Sequence, residues 1–66
     1  MRVRINGEDF LFTESMNVAG LVAQRKMRPE TVVVEHNNVI LARDKWEETL
    51  INENDTLEIL SFVGGG

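Results

Sequence analysis

The chain has 66 residues with a net charge of −4, from 7 Lys and Arg against 11 Asp and Glu, and it has no cysteine. That length allows one small domain and excludes a second; the acidic balance argues against a nucleic-acid partner, which needs a basic face; and without cysteine there are no disulfides, thiolate metal sites or cysteine nucleophiles. No apolar run nears the ~20 residues that span a bilayer, and the opening MRVRING lacks the apolar region of a signal peptide, so a cytoplasmic protein with no membrane partner is expected.

The first segment, MRVRINGEDFLF, places Asn6-Gly7 between two alternating stretches. Both residues tolerate positive φ, so the spacing predicts a two-residue type I′ hairpin. Counting outward, Val3 faces Phe10 and Met1 faces Phe12 on the core side, and Arg4 faces Asp9 on the other. Helical spacing of Val18, Leu21 and Val22 follows, with Asn17 as N-cap, Ser15 as a competing cap, and Met16 and Leu21 placed as a hydrophobic staple. Gly20 inside this helix suggests close approach of a strand or loop. Arg25 and Lys26 suit the negative end of the helix, and Pro29 stops it. TVVVEH reads as a strand, Asn37-Asn38 as a turn and VILA as a short partner strand. RDKWEETL is irregular or a short helical turn, and Asn52 to Asp55 is rich in turn residues. TLEILSFV is the last strand, with Leu57, Ile59, Ser61 and Val63 on one side and Glu58, Leu60 and Phe62 on the other. Apolar residues on both sides imply a central strand, covered on both faces or covered on the second only when a partner binds.

The order β-β-α-β-β-β fits an α+β fold of the β-grasp, or ubiquitin-like, kind. A mixed sheet of four to five strands would pack on one main helix, with the first and last strands adjacent in the centre. Residues 1–63 would form the domain and residues 64–66 a flexible glycine tail.

The tail, Gly64-Gly65-Gly66, is the most informative feature. Without Cβ atoms it could thread a narrow channel, and it would reach about 10 Å beyond the strand. Its terminal carboxylate is a poor electrophile until a partner enzyme adenylates it, after which sulfur or nitrogen can attack. The plainer alternative is a frayed or engineered tail with no role. His36, alone and without cysteine, reads as a strand-end residue, and no metal site is expected. Glu47, Glu48, Glu53, Asp55 and Glu58 read as a solvated face, with docking of a basic partner as the functional alternative. Arg25, Lys26 and Arg28 read as helix-end complementation, and Trp46 as the anchor of the irregular segment. Leu60 and Phe62, together with Leu11, are candidates for an exposed docking patch beside the tail; the alternative is that they finish the core.

Several of these segments, in order, resemble the ThiS family, the sulfur carriers of thiamine biosynthesis. Val32 to Ile40 is similar to the family's strand–turn–strand, and Ala42-Arg43-Asp44-Lys45-Trp46 resembles its Pro-Arg-x-x-Trp stretch. Asn54-Asp55-Thr56-Leu57-Glu58-Ile59-Leu60 resembles its Gly-Asp-x-Val-Glu-Ile segment, and Phe62-Val63-Gly64-Gly65-Gly66 its glycine ending. The chain departs from the family pattern at Ala42, where proline is usual, and at Asn38 and Asn54, where glycine is common. The resemblance implies that a ThiF-like adenylyltransferase, using ATP, activates the carboxylate of Gly66. A persulfide sulfur donor then converts it to a thiocarboxylate, which a ThiG-like thiazole synthase consumes. Gly64 and Gly65 would thread the partner's active site, and Leu60, Phe62 and Leu11 would dock. The chain would be no enzyme, would bind no cofactor, and would be a monomer when free. The competing readings are the small subunit of molybdopterin synthase, another ubiquitin-like sulfur carrier or modifier, and a β-grasp interaction module with an inert tail.

Overall fold

Two dipeptides at positive φ set the sheet's hairpins. In the computed structural model, which describes residues 1–62, strands β1 (Arg2–Ile5) and β2 (Glu8–Leu11) are joined by Asn6 at φ 51° and Gly7 at φ 83°. These are the two left-handed residues a type I′ turn demands. The register is the one counted from the turn, with Val3 opposite Phe10 and Arg4 opposite Asp9. The Phe12 amide donates to the Met1 carbonyl at 2.8 Å, which carries the pairing one step beyond the strands. Arg4 Nε meets Asp9 Oδ1 at 3.0 Å, on an exposed surface where such a pair stabilises little.

The second hairpin joins β3 (Val32–His36) to β4 (Val39–Leu41) through Asn37 at φ 51° and Asn38 at φ 72°. The last strand, β5 (Thr56–Ser61), lies between the hairpins, parallel to β1 and antiparallel to β3, giving the order β2-β1-β5-β3-β4. The sheet is thus mixed and five-stranded, with the first and last strands side by side. The β1–β5 pairing ends at Ile5 opposite Leu57. Beyond it, the Asn6 side chain substitutes for a strand residue: its Oδ1 accepts from the Ile59 amide at 2.7 Å and its Nδ2 donates to the Ile59 carbonyl at 3.2 Å.

One helix, α1 (Val18–Gln24), crosses one face of this sheet. Asn17 caps it, its Oδ1 accepting from the Gly20 amide at 2.7 Å. The first two helical amides are taken by the loop that follows β4: Val18 donates to Thr49 O at 3.0 Å and Ala19 to Trp46 O at 3.4 Å. Three of the four donors a helix start leaves open are therefore satisfied within the chain. Gly20 does not serve a strand or loop, as its position suggested. It is exposed, and a Cβ there would meet the cap's own Oδ1 at 3.1 Å.

The other helix end closes in a Schellman motif, with Lys26 in the left-handed region at φ 60°. Its amide donates to Ala23 O at 3.0 Å and that of Met27 to Val22 O at 3.4 Å. Arg25 is the C-cap, and its guanidinium lies 5.8 Å from the Phe10 ring centre. It stacks on β2 in addition to completing the helix end.

The core sits between helix and sheet. Val3, Ile5, Val34, Leu57 and Ile59 come from the strands, Val18, Leu21 and Val22 from the helix, and Trp46 and Ile51 from the long loop. Trp46 is buried and its indole N–H donates to Leu41 O at 3.1 Å, so it anchors the irregular segment as expected. That segment begins with a single 3-10 turn, Arg43–Lys45. No helix among the described residues is long and apolar enough to cross a membrane. Val63 and the tail Gly64-Gly65-Gly66 lie outside the described residues.

Candidate functional site

The site is built on the end of β5 and the sheet face that the helix leaves open. Along β5 the side chains alternate as strand geometry requires. Leu57 and Ile59 are buried against α1, whereas Glu58 is half-buried and Leu60 is 52% exposed on the far side. A single helix can cover only one face of a sheet, so β5 is central yet covered on one side. Phe62 leaves the strand, but its amide still donates to Thr31 O at 2.6 Å, and the residue is 61% exposed. The alternative that Leu60 and Phe62 finish the core therefore does not hold.

Register identifies what surrounds them. Leu60 lies opposite Val33, and Glu58 opposite Glu35, which in turn faces Ile40 of β4. Val33 is half-buried and Ile40 exposed, so both extend the apolar surface of Leu60 across the sheet. The sequence reading missed these two because TVVVEH reads only as a strand and VILA as its short partner; the pairing reveals which side chains point outward. Leu11 is exposed too, but it is not part of this patch. It pairs with Arg2, and Arg4 pairs with Thr56, which puts Leu11 level with the residues that precede β5. Six residues of strand, about 20 Å, separate that level from Leu60.

The acidic stretch is also divided by the fold. Glu47, Glu48 and Glu53 are exposed, in keeping with a solvated face, but Asp55 is only 7% exposed. It is a structural hub. Oδ2 accepts from the Asn52 amide at 2.8 Å and meets His36 Nε2 at 2.8 Å, and Oδ1 accepts from Asn37 Nδ2 at 3.1 Å. Because a carboxylate only accepts, Nε2 carries the proton and donates. Burial pushes the Asp55 carboxyl up, but the Asn52 amide and then the His36 and Asn37 side chains outweigh it and hold it below the ordinary carboxylate value. His36 is thus a strand-end residue with a structural partner. Among the described residues, no group of three or more His, Asp and Glu could hold a metal. A hollow lined by Arg2, Arg4, Asp9, Asn54, Asp55 and Thr56 lies at the start of β5, the opposite end of that strand from Leu60, and its acids are already partnered.

A helix on one face of a mixed sheet, with parallel first and last strands at its centre, defines a β-grasp protein of the ubiquitin-like class. The sequence pattern of the ThiS family matches residues 3–66, and the chain belongs to that family. The crystal structure of a thiamine biosynthesis protein (ThiS) from Geobacter metallireducens superposes with a TM-score of 0.84 at 35% identity, each chain covered in full. The sulfur carrier protein ThiS of Bacillus subtilis is 29% identical over 97% of this chain and 98% of its own length. A thiazole synthase of Paramagnetospirillum magneticum is 36% identical over the whole chain, which spans 20% of that protein's length.

The departures from the family pattern keep its backbone. Asn38 and Asn54 stand at φ 72° and 69°, where glycine is easiest and asparagine next best. Ala42 has φ −61° and ψ 144°, values a proline adopts without strain.

Proposed function

We propose that this chain carries sulfur on Gly66, as a thiocarboxylate made and consumed in the active sites of partner enzymes. The chain is a sulfur carrier of thiamine biosynthesis and not itself an enzyme, as its family membership implies. The observation that supports the finer reading is that the family match runs through residue 66 and so takes in Gly64-Gly65-Gly66. In the proposed sequence a carboxylate oxygen of Gly66 attacks the α-phosphorus of ATP on a ThiF-like adenylyltransferase, and pyrophosphate leaves. The terminal sulfur of a persulfide attacks the activated carbonyl and AMP leaves. A thiol then cleaves the S–S bond and frees the thiocarboxylate. Gly64 and Gly65 form the arm that enters the partner, and Leu60 and Phe62 the surface that meets it. The consumer is a ThiG-like thiazole synthase, a reading supported by the similarity of this chain to part of a protein of that name.

Intact mass spectrometry tests this. Incubation with the adenylyltransferase, ATP and a persulfide donor is expected to add the mass difference of one sulfur for one oxygen on the C-terminal peptide. Deleting Gly66 is expected to abolish the adduct and leave the unfolding curve unchanged. An adduct that persists in the deletion variant, or maps to another residue, would overturn the assignment.

A further inference from the structure

The open sheet face carries one arrangement that the fold itself does not explain. Glu35 and Glu58 stand directly opposite each other on adjacent antiparallel strands, and like charges in that relation repel. Both are half-buried. The ion pairs among the described residues are Arg4–Asp9, His36–Asp55 and Lys45–Glu48, so neither glutamate takes part in one. Arg4, whose strand is next to β5, is committed to Asp9 at 3.0 Å. The pair is bordered by Leu60, Val33 and Ile40. A twofold carboxylate within an apolar surface is the complement of a cation within an apolar surface.

The position relative to the tail says what approaches it. Four residues follow Phe62, and four residues span at most about 14 Å. An enzyme that works on Gly66 must therefore bring its surface against the end of β5. Leu60 is two residues from Glu58 on the same side of that strand, so contact with Leu60 brings such a surface alongside the glutamates.

We propose that Glu35 and Glu58 form a cation receptor for the adenylating partner, which presents an arginine or lysine flanked by apolar side chains to this face. This rests on the carrier reading above. Docking relieves a repulsion that the free chain carries, and it replaces the water on two half-buried carboxylates with a partner charge. The pair is then a specificity device whose cost falls on the stability of the free chain.

The experiment separates binding from chemistry. Calorimetric titration of the full chain into the ThiF-like adenylyltransferase, without ATP, measures docking, and ATP–pyrophosphate exchange measures activation. E35Q and E58Q are expected to unfold at the same or higher denaturant concentration than the wild type, to weaken binding about tenfold or more, and to raise KM with kcat unchanged. E47Q, an exposed acid elsewhere on the chain, is expected to leave binding unchanged. The Gly66 deletion is expected to bind while losing exchange. If the wild type binds without exchange, the carrier reading fails and the receptor is still judged by the glutamine variants. Wild-type binding retained by the E35Q/E58Q double variant, equal loss in E47Q, no binding by the wild type, or a homodimer in sedimentation that E58Q dissolves would each overturn the proposal.

Discussion

Asn6 and Asp55 show how much of this fold hangs on single polar side chains. Asn6 turns the first hairpin and also supplies β5 with the two hydrogen bonds that β1 is too short to make. Asn6→Gly would keep the positive φ and lose both bonds, and we expect it to cost about 1–3 kcal/mol in chemical denaturation. Asn38→Gly, at the second position of the other turn, is the control and is expected to stay within about 0.5 kcal/mol. Asp55 ties the 52–55 loop to the β3–β4 turn. Its carboxyl is held below the ordinary value in the folded chain, so its contribution is full above the unfolded pKa of about 3.9 and fades as pH falls through the folded one. Asp55→Asn is therefore expected to destabilise by about 1–3 kcal/mol at neutral pH. The gap from the wild type should narrow in acid. A gap constant from neutral pH down to the acid limb would show that the charge contributes nothing.

At the scale of elements, the helix illustrates how a short segment is held. Seven residues are too few to be helical alone. The cap, the two loop carbonyls and the Schellman closure tie down its ends, and Val18, Leu21 and Val22 anchor its face. The weak point is Lys26, a side-chain-bearing residue in a conformation that favours glycine. Lys26→Gly is expected to raise stability by roughly 0.5–1 kcal/mol, read as a shift in the denaturation midpoint with unchanged slope. A loss instead would mean that the lysine side chain contributes more than its backbone costs. The core side of the first hairpin was legible from alternation and turn spacing, because a one-residue slip would turn every apolar side chain outward. Gly20 was not legible, because a close approach by the chain's own cap looks the same in sequence as one by a distant strand.

For the whole molecule, the decisive asymmetry is one helix against a five-stranded sheet. Among the described residues, the uncovered side leaves Leu60 and Phe62 exposed at the end of β5. Phe62→Asp is expected to change folding stability by less than about 0.5 kcal/mol, since the residue is 61% exposed, while sharply raising KM for adenylation. Global unfolding of that variant would instead place Phe62 in the core. Leu11→Asp, about 20 Å from Leu60 along the strand direction, is expected to leave KM unchanged.

The amino-acid sequence by itself determined the element order, both hairpin turns, the N-cap and the resemblance that the family match bears out. Each of these is written in local spacing: alternation, turn dipeptides, and a polar residue before an apolar helix. Tertiary structure alone decided which apolar residues of β3, β4 and β5 face outward together, that Leu11 stands apart from them, that Asp55 is a buried hub, and that Glu35 meets Glu58. Those relations join residues far apart in the chain, and they exist only once strand register fixes which side chains share a row and which face the helix covers.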